Sequence, residues 1–273
     1  MSVHNRGGEM QRYYLFDGSL RTSVLWFLVC LSADFCHGVE AWGTLRLRFV
    51  YDGQPPAAGW RVVDRDRSTY GDKMPDESLV VDEGRGIQNV AMWLVPRKEK
   101  PVAIHPRYAA TADADVLLQC SRGRFVPHML LLRKTQRLVL ENVDMEAINP
   151  SHSSAVFAPF GIVLLRGERV ELRPDTQSPD PVHFQCAIHS WMSCYVLVRD
   201  TPYVAKSDET GALVMRDVPA GKHNFVIWHE RVGRVLEIPA ELGTTGDNGL
   251  HLIGIPEESG ESVRVPLKPK IFR

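Results

Sequence analysis

The sequence lacks a charge imbalance, a long hydrophobic run and the common catalytic motifs. Its 32 basic and 33 acidic residues give a formal net charge of −1, so composition provides no electrostatic basis for binding nucleic acid or an anionic membrane surface. No Gly-rich phosphate loop, nucleophile elbow or zinc-protease motif occurs. These absences exclude the classes of enzyme and nucleic-acid-binding protein that are most easily recognised from a motif or a charge excess.

A short apolar run near the N-terminus has the form of an export signal. Residues 24–33 are mostly apolar, follow three arginines and precede small residues that end at Ala41. This order predicts a signal peptide over residues 1–41 and an exported protein, periplasmic or at the cell surface. The run is too short to span a bilayer comfortably, so we do not expect a membrane-spanning protein. The alternative is an uncleaved anchor.

The rest of the chain predicts an all-β protein. Thr44–Tyr51 alternates apolar and polar residues and ends at an Asp-Gly turn, which is typical of a strand. Many further short apolar segments separated by Gly and Pro favour β-sandwiches. A short helix is expected near residues 106–112. A change in character near residue 200 predicts one domain over 42–200 and a second over 201–273.

The most informative segment is the loop Cys186–Met192. It contains Cys186, His189 and Met192 between two strand-like segments. Thiolate, imidazole and a weak axial thioether are the three ligand types of a blue-copper electron-transfer site. The spacing Cys-x2-His-x2-Met therefore predicts a copper site in a loop between two strands.

Two family resemblances follow from these segments. The loop resembles the ligand loop of cupredoxins of the plastocyanin and amicyanin type. The segment 207–230, with its Pro-Ala-Gly turn at 219–221, resembles carboxypeptidase regulatory-like domains, which have a carbohydrate-binding-like fold. Together they resemble exported bacterial proteins described as methylamine utilisation protein-like. The resemblance implies a cupredoxin-like Greek-key β-sandwich over 42–200, followed by a small Ig-like or regulatory-like β-sandwich over 201–273.

The cupredoxin resemblance also implies roles for individual residues. Cys186, His189 and Met192 would bind copper, with His189 near the surface as the exit for an electron. Asn149 would tether the ligand loops through a backbone hydrogen bond. The position of the first histidine ligand is occupied by Ile148, which has no lone pair to donate. His152 is the candidate replacement, and the more distant candidates are His128 and His105.

Three functions remain open at this point. The first is an exported one-electron carrier with a redox partner protein, which is not an enzyme because a blue-copper site has no open position for substrate. The second is a metal-free scaffold that binds through its C-terminal module, and the third is a protein that holds Cu(I) loosely. Cys120 and Cys194 would either pair as a disulfide or both stay free.

Overall fold

The protein is almost entirely built of β-strands. The computed structural model describes residues 41–97, 101–257 and 260–272, so the predicted signal peptide lies outside the described residues except for Ala41. The strands are β1 Trp42–Tyr51, β2 Trp60–Val62, β3 Lys73–Pro75, β4 Ala91–Val95, β5 Asp115–Ser121, β6 Arg124–Val126, β7 Met129–Arg133, β8 Arg137–Asn142, β9 Pro150–His152, β10 Arg169–Leu172, β11 Val182–Cys186, β12 Ser193–Arg199, β13 Val204–Lys206, β14 Ala212–Pro219, β15 Gly221–His229, β16 Gly233–Arg234, β17 Gly243–Thr245, β18 Leu250–Ile255 and β19 Val263–Leu267. The all-β prediction is confirmed.

Helical structure in the described residues is short. The α-helix α1 covers Arg67–Tyr70, and 3₁₀ turns cover Pro106–Thr111, Asp247–Gly249 and Pro269–Phe272. The first of these turns lies where the sequence predicts a short helix. No helix in these parts of the chain is long and apolar enough to cross a membrane.

The first β-sandwich carries the candidate loop. One sheet has the strand order β10-β8-β5-β6 and the other has the order β7-β12-β11-β9. β5 and β8 are parallel, as are β7 and β12. Parallel neighbours cannot be joined by tight hairpins, so the chain must cross between the sheets. Inward-facing residues of both sheets, such as Leu118, Leu140, Phe184 and Val196, form one buried core.

A second β-sandwich has its own core. A three-stranded sheet of order β14-β1-β19 belongs to it, together with a larger sheet of order β13-β4-β15-β18-β17. Phe49, Leu94, Phe225 and Ile253 are among the residues buried in this core. The alternation of apolar residues along Trp42–Tyr51 reflects this packing, because alternate side chains of a strand point to opposite faces.

The two sandwiches do not follow one another simply along the chain. β1 and β4 precede residue 201, yet β1 pairs with β14 and β19, and β4 pairs with β13 and β15. The predicted first domain, 42–200, therefore contributes two strands to the sandwich that also contains most of 201–273. The strand predicted at 44–51 is present, but its partners are distant in sequence, since Leu47 pairs with Leu213 and with Val263.

A third apolar cluster joins the sandwiches. The outer faces of β7 and β12 meet the outer faces of β4 and β15 through buried side chains, namely Ala91, Trp93, Met129, Leu197, Val226 and Trp228. The Lys206 ammonium also donates to the carbonyl oxygen of Met129 across this junction, at 2.6 Å. The shared apolar contact means that the two cores are stabilised together.

Candidate thiolate–imidazole site

The site is a tight loop between two paired strands. β11 and β12 are antiparallel neighbours, and the loop between them closes on itself. The N–H of Cys186 donates to Met192 O at 3.1 Å, and the N–H of Met192 donates to His189 O at 3.0 Å. The structure therefore brings Cys186, His189 and Met192 together in one loop between strands, where the sequence spacing places them.

The Cys186 sulfur is surrounded by hydrogen-bonding groups. The backbone N–H groups of Asn149 and His189 each lie 3.4 Å from Sγ, and His189 Nδ1 lies 3.8 Å away. The carbonyl oxygen of Asn149 also accepts from the N–H of Ala187 at 2.8 Å. Asn149 thus links its own loop to the Cys186 loop through backbone contacts, as the resemblance implied.

These groups favour the ionised thiol. Burial opposes ionisation of Cys186, but the His189 ring and the N–H groups of Asn149, His189 and Ile188 outweigh it and hold the pKa of the thiol below its ordinary value. Burial likewise lowers the pKa of His189, but Cys186 and Asp66 act more strongly in the opposite direction and raise it. Because a thiolate rather than a thiol is the nucleophile and metal ligand, this environment prepares Cys186 for either role.

His189 is fully buried, contrary to the expectation that it lies near the surface. Its side chain has no exposed area, and its Nε2 lies 2.8 Å from the Oδ2 atom of Asp66. The rings of Tyr70 and Trp191 pack against it, with centroids 5.4 and 4.9 Å away. The segment that contains Asp66 folds over the loop and covers the imidazole. Sequence reasoning missed Asp66, because a carboxylate in an alternating Asp-Arg-Asp-Arg stretch is typical of a solvated turn.

Ile148 lies just before β9 and forms an isolated bridge with Leu164, and its side chain offers no donor atom. Its side chain is buried in the same core as Cys186 and Met192. Its backbone N–H and C=O both bond to Leu164, at 3.0 and 2.8 Å, which fixes the position of the following residue, Asn149. Residue 148 thus has a fixed backbone position and a side chain that is purely hydrocarbon.

His152 lies in an aromatic cluster on the neighbouring strand. In the pairing of β9 with β11 it stands opposite Phe184, whereas Pro150 stands opposite Cys186. The His152 ring lies 5.1 to 5.6 Å, between centroids, from three phenylalanines, namely Phe157, Phe160 and Phe184. Burial lowers the pKa of His152, and its Nδ1 accepts from the N–H of Ser154 at 3.2 Å. The structure gives His152 no contact with the Cys186 sulfur.

The more distant histidines are also engaged elsewhere. His128 pairs with Glu230 and lies 3.9 Å from Glu77. His105 accepts from the N–H of Arg107 at 3.2 Å and caps the 3₁₀ turn that follows. Among the described residues, His189 is therefore the one imidazole in contact with Cys186 Sγ.

The three cysteines of the described chain are all free and buried. Cys120 donates to Asp144 at 3.4 Å, and Cys194 lies on β12 opposite Phe184. Burial raises the pKa of both thiols. Cys120 and Cys194 are thus not paired, and Cys186 is the thiol whose surroundings favour the thiolate.

The donor set fits a soft monovalent ion better than a blue Cu(II) centre. A blue site requires two imidazoles with the thiolate, and here one is present. Cys186 Sγ and His189 Nδ1, 3.8 Å apart, are the two atoms that would hold such an ion. In the described ranges, no three His, Cys, Asp or Glu side chains gather as a metal site. A third ligand must therefore come from another residue type, and the thioether of Met192 is buried in the same loop.

No family model and no curated protein sequence matches this chain. Among solved structures, a reduced amicyanin variant shares 14% identity over 40% of this chain and 98% of its own length, with a TM-score of 0.29. A purple cupredoxin from Nitrosopumilus maritimus shares 20% identity over 32% of this chain and 99% of its own, with a TM-score of 0.27. A Cu(I) amicyanin variant shares 10% identity over 31% of this chain and 82% of its own, with a TM-score of 0.28.

Proposed function

We propose that this chain is an exported, cupredoxin-like copper-handling protein that holds one Cu(I) ion through Cys186, His189 and Met192. The observation that carries the proposal is that the Cys186 sulfur lies 3.8 Å from His189 Nδ1. The residue that would have to supply the second imidazole of a blue-copper site is the buried Ile148. Soft thiolate and thioether ligands select Cu(I). Export is proposed from the N-terminal segment described above.

Each residue of the loop has a distinct part in this proposal. Cys186 supplies a thiolate, which the backbone N–H groups of Asn149 and His189 stabilise before any ion arrives, and His189 Nδ1 lies close enough to accept the proton of the thiol. His189 supplies Nδ1, and Met192 supplies a neutral sulfur that adds no charge to a buried site. The chemistry that copper brings when bound is a one-electron couple, and a set with one imidazole favours its reduced form.

The burial of His189 supports a role in binding copper more than a role in rapid electron transfer to a partner protein. A partner that accepts an electron needs a ligand edge at the surface, and the imidazole here has no exposed area. We therefore place the one-electron carrier, with its redox partner protein, second to the Cu(I)-binding role. We propose no catalytic role.

Competition for Cu(I) under anaerobic conditions tests the proposal. A chromogenic Cu(I) chelator should lose one equivalent of copper to the protein, and Cys186→Ser should weaken that binding by more than about 100-fold. Cys194→Ala is the matched control, because it removes a buried thiol from the adjacent strand and should leave the affinity within about threefold.

The visible spectrum with Cu(II) separates the other functions. A strong thiolate-to-copper charge-transfer band in the unmodified protein would contradict the proposal and favour the electron carrier. No affinity for either oxidation state would contradict it as well, and would favour the metal-free scaffold. Tight Cu(I) binding without a coloured Cu(II) form is the expected result.

A further inference from the structure

A short segment covers the thiolate–imidazole loop and is anchored to it by side chains. Residues 60–75, here called the cap, contain β2, α1 and β3, and the two strands pair as a hairpin. Asp66 contacts His189 Nε2 at 2.8 Å. Asp64 accepts from the hydroxyl of Ser190 at 2.9 Å. Two neighbouring residues of the loop are therefore each bonded to a carboxylate of the cap.

The cap is also seated in the core of the first sandwich. Val63 has no exposed area and belongs to the same buried cluster as Cys186, with Tyr70 and Met74 packed against that cluster. The Tyr70 ring meets the rings of both His189 and Trp191 edge-on, at 5.4 and 5.8 Å. The closed position is thus held by apolar contact as well as by hydrogen bonds.

Asp66 adopts a backbone conformation that aims its carboxylate inward. Its φ and ψ are 48° and 41°, the left-handed region that L-residues rarely adopt and that Asp tolerates better than most. Its carbonyl oxygen accepts from the N–H groups of Thr69 and Tyr70, at 2.9 and 3.0 Å. An uncommon conformation at a residue that contacts a candidate ligand points to a specific role.

The contact between Asp66 and His189 has a chemical consequence. In the neutral ring one nitrogen carries a proton and the other carries a lone pair. A carboxylate at Nε2 holds the proton there, so the lone pair lies at Nδ1, which faces the Cys186 sulfur. A carboxylate behind a ligating histidine fixes its tautomer and orientation and raises its basicity.

We propose that Asp66 is a positioning residue that fixes the Nδ1-ligating tautomer of His189 and latches the cap closed over Cys186. An ion or reagent then reaches the sulfur only when the cap lifts. The claim that this tautomer of His189 binds copper rests on the proposed function above. The latch itself does not, because it concerns access to a thiol in the metal-free protein.

Thiol labelling of the full metal-free chain tests the latch. With an aromatic disulfide reagent and peptide mass mapping, Asp66→Ala should raise the labelling rate of Cys186 by about tenfold or more, since local opening becomes easier. Asp72→Ala is the control on the same cap. The Asp72 side chain is exposed, and the backbone carbonyl that accepts from the N–H of Val63 is unaffected by the substitution. It should change the rate by less than about twofold. Equal Cys186 rates in Asp66→Ala and the unmodified protein would overturn the latch.

Two internal measurements keep the test decisive. Cys120 and Cys194 are buried elsewhere in the core, so a variant that merely unfolds accelerates all three cysteines together. In that case nitrogen NMR of His189 in the unmodified metal-free protein decides the matter. Nε2 should carry a proton, in slow exchange with solvent, and an Nε2 atom without a proton would overturn the proposal.

Copper release separates this inference from the proposed function. Asp66→Ala should speed the transfer of Cu(I) to a chelator by about tenfold, in line with the loss of an outer-shell partner. If the unmodified protein binds no Cu(I) while the labelling result holds, the proposed function fails and the latch stands. If Cu(I) binds but Asp66→Ala leaves Cys186 labelling unchanged, the latch fails alone.

Discussion

Replacing Ile148 with histidine should convert the site into one that binds Cu(II) with a visible colour. The backbone N–H and C=O of Ile148 both form hydrogen bonds to the backbone of Leu164. The N–H of Asn149 donates to the Cys186 sulfur. The position of the new side chain is thus set by contacts that the substitution leaves intact. A second imidazole would complete the thiolate and two-imidazole set of a blue-copper site.

The metal-free variant should be less stable by an amount that the burial of Ile148 allows us to estimate. The side chain has no exposed area, so about 2 kcal/mol of apolar burial is lost. An imidazole without a partner in that core costs about a further 1–3 kcal/mol. We expect the free energy of unfolding to fall by roughly 3–5 kcal/mol without metal, and to recover largely when Cu(II) is added, since a ligand that binds only the folded state stabilises it.

Urea denaturation with and without Cu(II), followed by a visible spectrum, measures both effects. Ile148→Val is the control for packing alone and should cost about 0.5–1.5 kcal/mol with no colour. The double variant Ile148→His, Cys186→Ser should also stay colourless, because the charge-transfer band needs the thiolate. A folded Ile148→His protein that takes up Cu(II) without a visible band would refute the assignment of residue 148 to the ligand position.

Three further substitutions test the packing and electrostatics. Phe184→Ala should lower the free energy of unfolding, measured by urea denaturation, by about 3–5 kcal/mol, since Phe184 is fully buried. A decrease below about 1 kcal/mol would contradict the fold. Gly86→Ala should cost roughly 3 kcal/mol, because a Cβ would lie 2.1 Å from Thr210 O, and an unchanged melting temperature would show that the backbone yields there. Burial lowers the pKa of His229 to about 4, whereas an unfolded histidine titrates near 6.5. The unfolded chain therefore binds a proton first, and stability should fall between pH 6.5 and 4 by on the order of 3 kcal/mol, a slope that His229→Gln should flatten.

The geometry of the loop Cys186–Met192 could be predicted because it is local. Cys186, His189 and Met192 lie within seven residues, and the alternating segments on either side predict the strands that hold them. The turn that follows Cys186 then brings residue 189 back towards the sulfur. Asn149 lies further away in sequence, and only the family resemblance indicated its backbone tether.

The cap could not be predicted from the sequence, because its contacts depend on tertiary packing. Asp66 precedes His189 by 123 residues, and an alternating run of Asp and Arg has the composition of an exposed turn. The same limit applies to β1, whose alternation predicts a strand but not its pairing with β14 and β19. Local pattern indicates which face of a strand is buried, whereas the partner depends on how distant segments pack.

Under the proposed function, three features of the site act on the oxidation state of copper. Two of them favour Cu(I), and the third favours Cu(II). A set of one thiolate, one imidazole and one thioether favours Cu(I) by ligand softness. Burial in an apolar core disfavours the additional positive charge of Cu(II). The Asp66 carboxylate, 2.8 Å from His189 Nε2, opposes both, because a negative charge behind a ligand stabilises the more highly charged ion. Removal of that carboxylate should therefore deepen the preference for Cu(I) over Cu(II) while it opens the cap, so the preferred oxidation state and the rate of exchange are set by the same residue.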